Sequence, residues 1–96
     1  MIKKVKVGGI NYKIDQVPII EISGSRDYNG RFIANEAQID IIEALSDDRK
    51  KEVLIHELTH AIAYEAHVEM DEDAVIQFSK VLNQVLQDND FSFLKK

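Results

Sequence analysis

The 96-residue chain, with seventeen acidic and twelve basic side chains and a formal charge of −5, is long enough for one small hydrophobic core and is read as a single domain over 1–96. It has no cysteine, which excludes disulfides, thiol nucleophiles and Cys-ligated metal sites and leaves only His, Asp, Glu and water as ligands. The scattered basic residues form no concentrated patch for a phosphate backbone, so nucleic acid is not expected as a partner.

Met1 to Ile10 shows no continuous apolar stretch and no later segment approaches a membrane span, so a cytoplasmic protein without membrane contact is expected. Val5 to Ile14 alternates on either side of Gly8-Gly9, a two-residue hairpin turn between strand-type residues. After Pro18, Ile19 to Ile22 fits either a strand or a short helical turn, and Ser23 to Gly30 has the composition of a loop. Ala37 to Ile41 alternates with period two and predicts a strand. Ser46 then stands as a helix N-cap before Asp47 and Asp48, and the helix should run to about Ala66. A second helix should start near Met70 to Glu72 and reach about Gln87, with apolar positions at Ala74, Val75, Phe78, Val81, Leu82, Val85 and Leu86. Strands precede helices, so the expected class is α+β, an N-terminal hairpin and small sheet packed on the two helices.

The first helix contains His56-Glu57-Leu58-Thr59-His60, an H-E-x-x-H motif. At about 100° per residue the two histidines lie roughly 40° apart and one turn apart, so both imidazoles can reach one tetrahedral ion. Glu57, turned about 100° from His56, sits beside that ion rather than on it, where it can take a proton from a metal-activated water and return it to a leaving amine. Leu54, Leu58, Ala61 and Ile62 occupy the opposite arc and can bury the back of the helix.

A catalytic zinc normally has three protein ligands and an open position. The metzincin spacing would put a third His where this chain has Ala66, and that motif's Gly is Ala63; His67 misses by one and is read as a solvated or capping residue. The remaining candidates are Glu69, Asp71, Glu72 and Asp73 at the head of the second helix. Glu72 is chosen because it flanks the apolar stripe and can look toward the first helix; Asp73 is the runner-up, and Asp71 fits an N-cap.

The motif at His56 to His60, followed by Glu72 at the head of an amphipathic helix, resembles the gluzincins, in particular the compact peptidase-like proteins often encoded by bacteriophages and Gram-positive hosts. The similarity covers roughly residues 37 to 89. It implies a zincin-like fold, Zn2+ held by His56, His60 and Glu72, Glu57 as general base, and the strand Gln38 to Ile42 as a cleft rim that pairs with an extended substrate. ImmA/IrrE-like peptidases, which cut a repressor partner, are similar more distantly, through Asp73-Ala74 alone.

The function expected is therefore a zinc-dependent peptidase acting on a protein or peptide substrate inside the cell. The alternative is a metal-stabilised, non-catalytic protein-binding module of the same fold. Tyr64, one turn after His60, and Tyr28 in the loop are possible contacts to a reacting substrate, although ordinary packing accounts for both. The aromatic residues Phe91 and Phe93 could dock on the domain or lie in the cleft as a latency segment.

Overall fold

The structure, a computed structural model, describes residues 1–95. It opens with the hairpin of β1 (Lys4–Val7) and β2 (Ile10–Val17), paired from Val7↔Ile10 to Lys4↔Lys13. Gly8 and Gly9 take φ of +57° and +84°, as a two-residue turn that follows the strand twist requires. Gly8 also lies against Glu65, whose Cβ would stand 2.9 Å from any Cβ added there.

Ile19 to Ile22 forms neither a strand nor a helical turn. Ile22 makes an isolated bridge to Ser25, and Ile20, only 1 % exposed, anchors the segment. A strand that the sequence pattern did not predict follows, β3 (Gly30–Ile33). A single 3-10 turn (Ala34–Glu36), with Ala37 at φ +49°, then returns the chain into β4 (Gln38–Ile42). β4 runs antiparallel to β3 and parallel to β2, giving a mixed four-stranded sheet of order β1-β2-β4-β3. The expected strand at Gln38 to Ile42 therefore exists but is central, and its two edges are spent on β2 and β3. It cannot pair with a substrate; the edge strand on that side is β3.

Ile39 and Ile41 of β4, both fully buried, point with Tyr12 and Ile14 of β2 toward the first helix, α1 (Asp47–Glu65). Asp40 faces the other side of the sheet and is 6 % exposed, with Arg31 2.8 Å from one carboxylate oxygen and the Gln38 amide 2.8 Å from the other. These bonds offset the desolvation of its charge. α1 starts where the sequence places it, with Ser46 Oγ accepting the Arg49 N–H at 3.3 Å. On its sheet side Ala61 is fully buried and Leu54 and Leu58 are half-buried against the core. Ile62, expected on the same arc, is 43 % exposed and lines an open groove with Val5 to Gly8.

The second helix, α2 (Glu72–Asp88), is capped by Asp71, whose Oδ1 accepts the Ala74 N–H at 2.8 Å. α2 packs chiefly on α1, so the layers run sheet, α1, α2. Thr59 and Ala63 of α1 and Val75 and Ser79 of α2 are also buried, none of them in the sheet core. A helix covered by only one neighbour leaves much of its apolar stripe in water, and Phe78, Val81 and Leu86 are exposed. Among the described residues no helix is long and apolar enough to cross a membrane.

Candidate metal centre

His56 and His60 project from one face of α1, their ring centroids 5.1 Å apart and their planes at 68°. Phe32 of β3 stacks parallel to the His60 ring at 6.2 Å and fixes its orientation. Both imidazoles are about one-quarter exposed and open onto a cleft of about 730 Å³. Its walls are the segment Asp27 to Phe32 on one side and Val53, His56, Glu57 and His60 on the other, with Glu72 at one end.

The turn between the helices carries Glu72 to this position. α1 stops at Ala66, His67 takes a left-handed φ of +57°, and the Val68 N–H returns to the Ala63 carbonyl at 2.9 Å. This is a helix-terminating reversal, and it leaves His67 exposed rather than in the cleft. The chain then re-enters as α2 with its first residue beside α1. Glu72 Oε1 lies 2.8 Å from His56 Nε2 and Oε2 lies 3.0 Å from His60 Nε2.

Glu57 differs from Glu72 in every respect that matters chemically. It is 8 % exposed, against 60 % for the Glu72 side chain. Burial, and secondarily the charge of Glu72, push its pKa from the ordinary 4.5 up to about 7. Space for its carboxylate exists because residue 30 is glycine: a Cβ there would stand 2.4 Å from Val53 Cγ1 and 2.9 Å from Glu57 Oε2. Gly30→Ala is therefore expected to push Glu57 aside and to destabilise the fold by about 1–3 kcal/mol, the usual range for overpacking. Denaturant unfolding measures this; an unchanged midpoint would show that the close approach is absent.

The raised pKa has a consequence for the metal-free chain. Because the folded value exceeds the unfolded one, protonated Glu57 contributes stability that is complete below about pH 4.5 and lost as pH rises through about 7. The shift corresponds to about 3 kcal/mol, at ~1.4 kcal/mol per pH unit. In chelator, the wild type should lose stability over this window relative to Glu57→Gln. Parallel pH profiles for the two proteins would contradict the assignment.

His56, Glu57 and His60 each offer a donor atom, all within 4.8 Å of one another, and this group can hold a metal ion. Two carboxylates, Glu57 and Glu72, stand near the histidines, and their positions differ. Glu72 spans both Nε2 atoms, whereas Glu57 is set back in the buried wall of the cleft against Gly30. The two oxygens of Glu72 contact different histidines, at 2.8 and 3.0 Å, so the carboxylate stands between the two Nε2 atoms and would have to shift to share an ion with them. An exposed side chain in the first turn of a helix can make that adjustment.

The other acids sit elsewhere. Asp71 is occupied as the N-cap, Asp73 is exposed and does not line the cleft, and Glu69 lines a shallow depression beyond His60 together with Tyr64. Tyr64 meets Phe32 edge-on at 5.9 Å and is outside the cleft, whereas Tyr28 is one of the cleft residues. Phe91 and Phe93 are 38 % and 62 % exposed and line none of the cleft, so neither a latency segment nor a docked tail is found among the described residues. Gly30 and Phe32 are cleft residues that the sequence pattern did not single out. No known protein family, curated protein or solved structure matches the chain.

Proposed function

We propose that the chain is a zinc-dependent peptidase with a zincin-like arrangement of the gluzincin type, in which His56, His60 and Glu72 are the ligands and Glu57 is the general base. The observation that carries this reading is the convergence of three donor side chains from two helices beside a separate, buried carboxyl group. Two imidazoles and a carboxylate are a donor set suited to zinc. The bound ion supplies Lewis acidity and brings the pKa of a coordinated water to about 7.

The side chains do the rest. Glu57, buried in the cleft wall beside the two histidines, would accept the proton of the attacking water and deliver it to the leaving amine. Its own burial keeps the carboxylate out of bulk solvent, so the proton is held at the reacting centre. Phe32 keeps the His60 ring in one orientation by stacking. The outer edge of β3 borders the cleft, with Asn29 to Phe32 in its wall, and offers unpaired backbone groups to an extended peptide. β3 thus takes the role that the resemblance gives to Gln38 to Ile42.

The test is zinc-dependent cleavage of unfolded polypeptide by the purified chain, with chelator-treated and zinc-restored samples side by side. Cleavage that vanishes with the ion and returns with zinc supports the reading, and a zinc-loaded chain inert toward a broad mixture of unfolded proteins contradicts it.

One observation favours a second reading, a metal-stabilised binding module. Glu72 contacts both histidines, so an ion there would pin the start of α2 to α1 and serve the fold even without turnover. In that case Glu57→Gln changes nothing that partner binding or stability at neutral pH with zinc reports.

A further inference from the structure

His56 and His60 reach Glu72 through Nε2, and among the described residues neither ring makes any other hydrogen bond or ion pair. A metal-binding histidine ordinarily gives its second nitrogen to a carboxylate, a carbonyl or a water, and that bond sets the plane of the ring. No protein group does so here. The protein's hold on these imidazoles is therefore on the faces and edges of the rings.

Such a hold exists at His60, and it continues beyond the cleft. Phe32 stacks on His60 with centroids 6.2 Å and planes 5° apart, and Tyr12 of β2 stacks on Phe32 at 5.9 Å and 28°. Tyr64 meets Phe32 edge-on at 5.9 Å, so the Phe32 ring is restrained from a second direction. These separations lie in the range where aromatic rings attract beyond what their burial gives. His56 in turn meets His60 edge-on at 5.1 Å, so the column reaches both imidazoles.

Tyr12 is the fixed point of this column. It is fully buried in the sheet core and lines no part of the cleft. Its hydroxyl donates to Glu65 Oε2, and burial together with that carboxylate pushes the phenol well above its ordinary range, so it stays a donor. Glu65 is itself confined by the hairpin turn, where a Cβ added to Gly8 would stand 2.9 Å from Glu65 Cβ. It belongs to α1, five residues after His60. The contacts thus leave α1 at Glu65, run over the inner face of the sheet through Tyr12 and Phe32, and return to α1 at His60.

We propose that Tyr12 is a positioning residue of the metal centre, acting through Phe32 on the His60 ring and achieving by stacking what a hydrogen bond to Nδ1 achieves in other sites. The inference rests on the reading of His60 as a ligand, and it extends the site to a core residue that has no atom in the cleft.

Zinc affinity, measured by competition with a chromophoric chelator, and the absorption spectrum of the Co2+-substituted chain test it. Loss of a group that orients a ligand lowers metal affinity by about 10–100-fold. Tyr12→Leu and Phe32→Leu, which keep apolar bulk but remove a flat ring, should each fall in that range and alter the Co2+ spectrum. Tyr12→Met serves in place of Tyr12→Leu if the latter does not fold. Tyr12→Phe keeps the ring and loses only the bond to Glu65, so it should recover most of the affinity. Ile14→Val trims the same core outside the column; it should lower the melting temperature and leave zinc affinity and the Co2+ spectrum unchanged. Folded Tyr12 and Phe32 variants that hold zinc as tightly as the wild type would overturn the proposal. So would an Ile14→Val chain that loses as much affinity as they do, because packing alone would then be responsible. A wild type that binds no zinc overturns the reading of the site itself, and this inference with it.

Discussion

Glu57→Gln is expected to keep the bound zinc and to lose hydrolysis by about 10²–10⁴-fold, the range for removing a positioned general base. The amide has nearly the same shape, so it fits the space beside Gly30 that the carboxyl occupies, but it cannot accept a proton. The substitution also removes a buried group whose ionised form is disfavoured, so the metal-free variant should be at least as stable as the wild type above pH 7. Loss of activity with retained metal and retained stability separates a proton-transfer role from a structural one. Loss of the ion in this variant would instead make Glu57 a ligand.

His56→Ala is expected to have the largest effect on stability. An ion present at a thousandfold excess over its dissociation constant stabilises the folded state by about 4 kcal/mol. For a domain of this size each kcal/mol is worth about 4–8 °C in Tm, so chelation of the wild type should lower Tm by about 15–30 °C. His56→Ala should melt near the chelated wild type whether or not zinc is added. Differential scanning calorimetry with and without chelator decides it. A wild type whose Tm does not respond to chelator would leave the fold self-sufficient and remove the ion from its energetics.

How much of this was legible in the sequence depended on whether the signal was local. The helix bearing His56 and His60 announced itself through Ser46, Asp47 and Asp48 at its start, and the observed cap and boundaries follow that reading. Glu72 was singled out because it flanks the apolar stripe of α2, and it lies against His56 and His60. Asp71 takes the N-cap that its position suggested.

β3 was not legible for the opposite reason. Gly30 to Ile33 is four residues long, too short for alternation to register, and its place is fixed by pairing with β4, which is a tertiary fact. The resemblance made the strand Gln38 to Ile42, now β4, the rim of the cleft, and β3 takes that edge instead. The roles of Gly30 and Phe32 were hidden with it, although a glycine opening a short Arg31-Phe32-Ile33 run is a sign of close approach. The apolar pattern of α2 was also read correctly as periodicity, but periodicity does not say what covers a face. Here α1 covers one flank and the rest stands open.

The most direct measurement is zinc stoichiometry, by elemental analysis after dialysis, of the wild type and of the Glu72→Ala and Asp73→Ala variants. About one zinc per chain in the wild type and in Asp73→Ala, with little or none in Glu72→Ala, is the result expected of a His56-His60-Glu72 centre. A folded wild type that takes up no zinc, or a Glu72→Ala variant that holds it as tightly as the wild type, would contradict the ligand set and the function built on it.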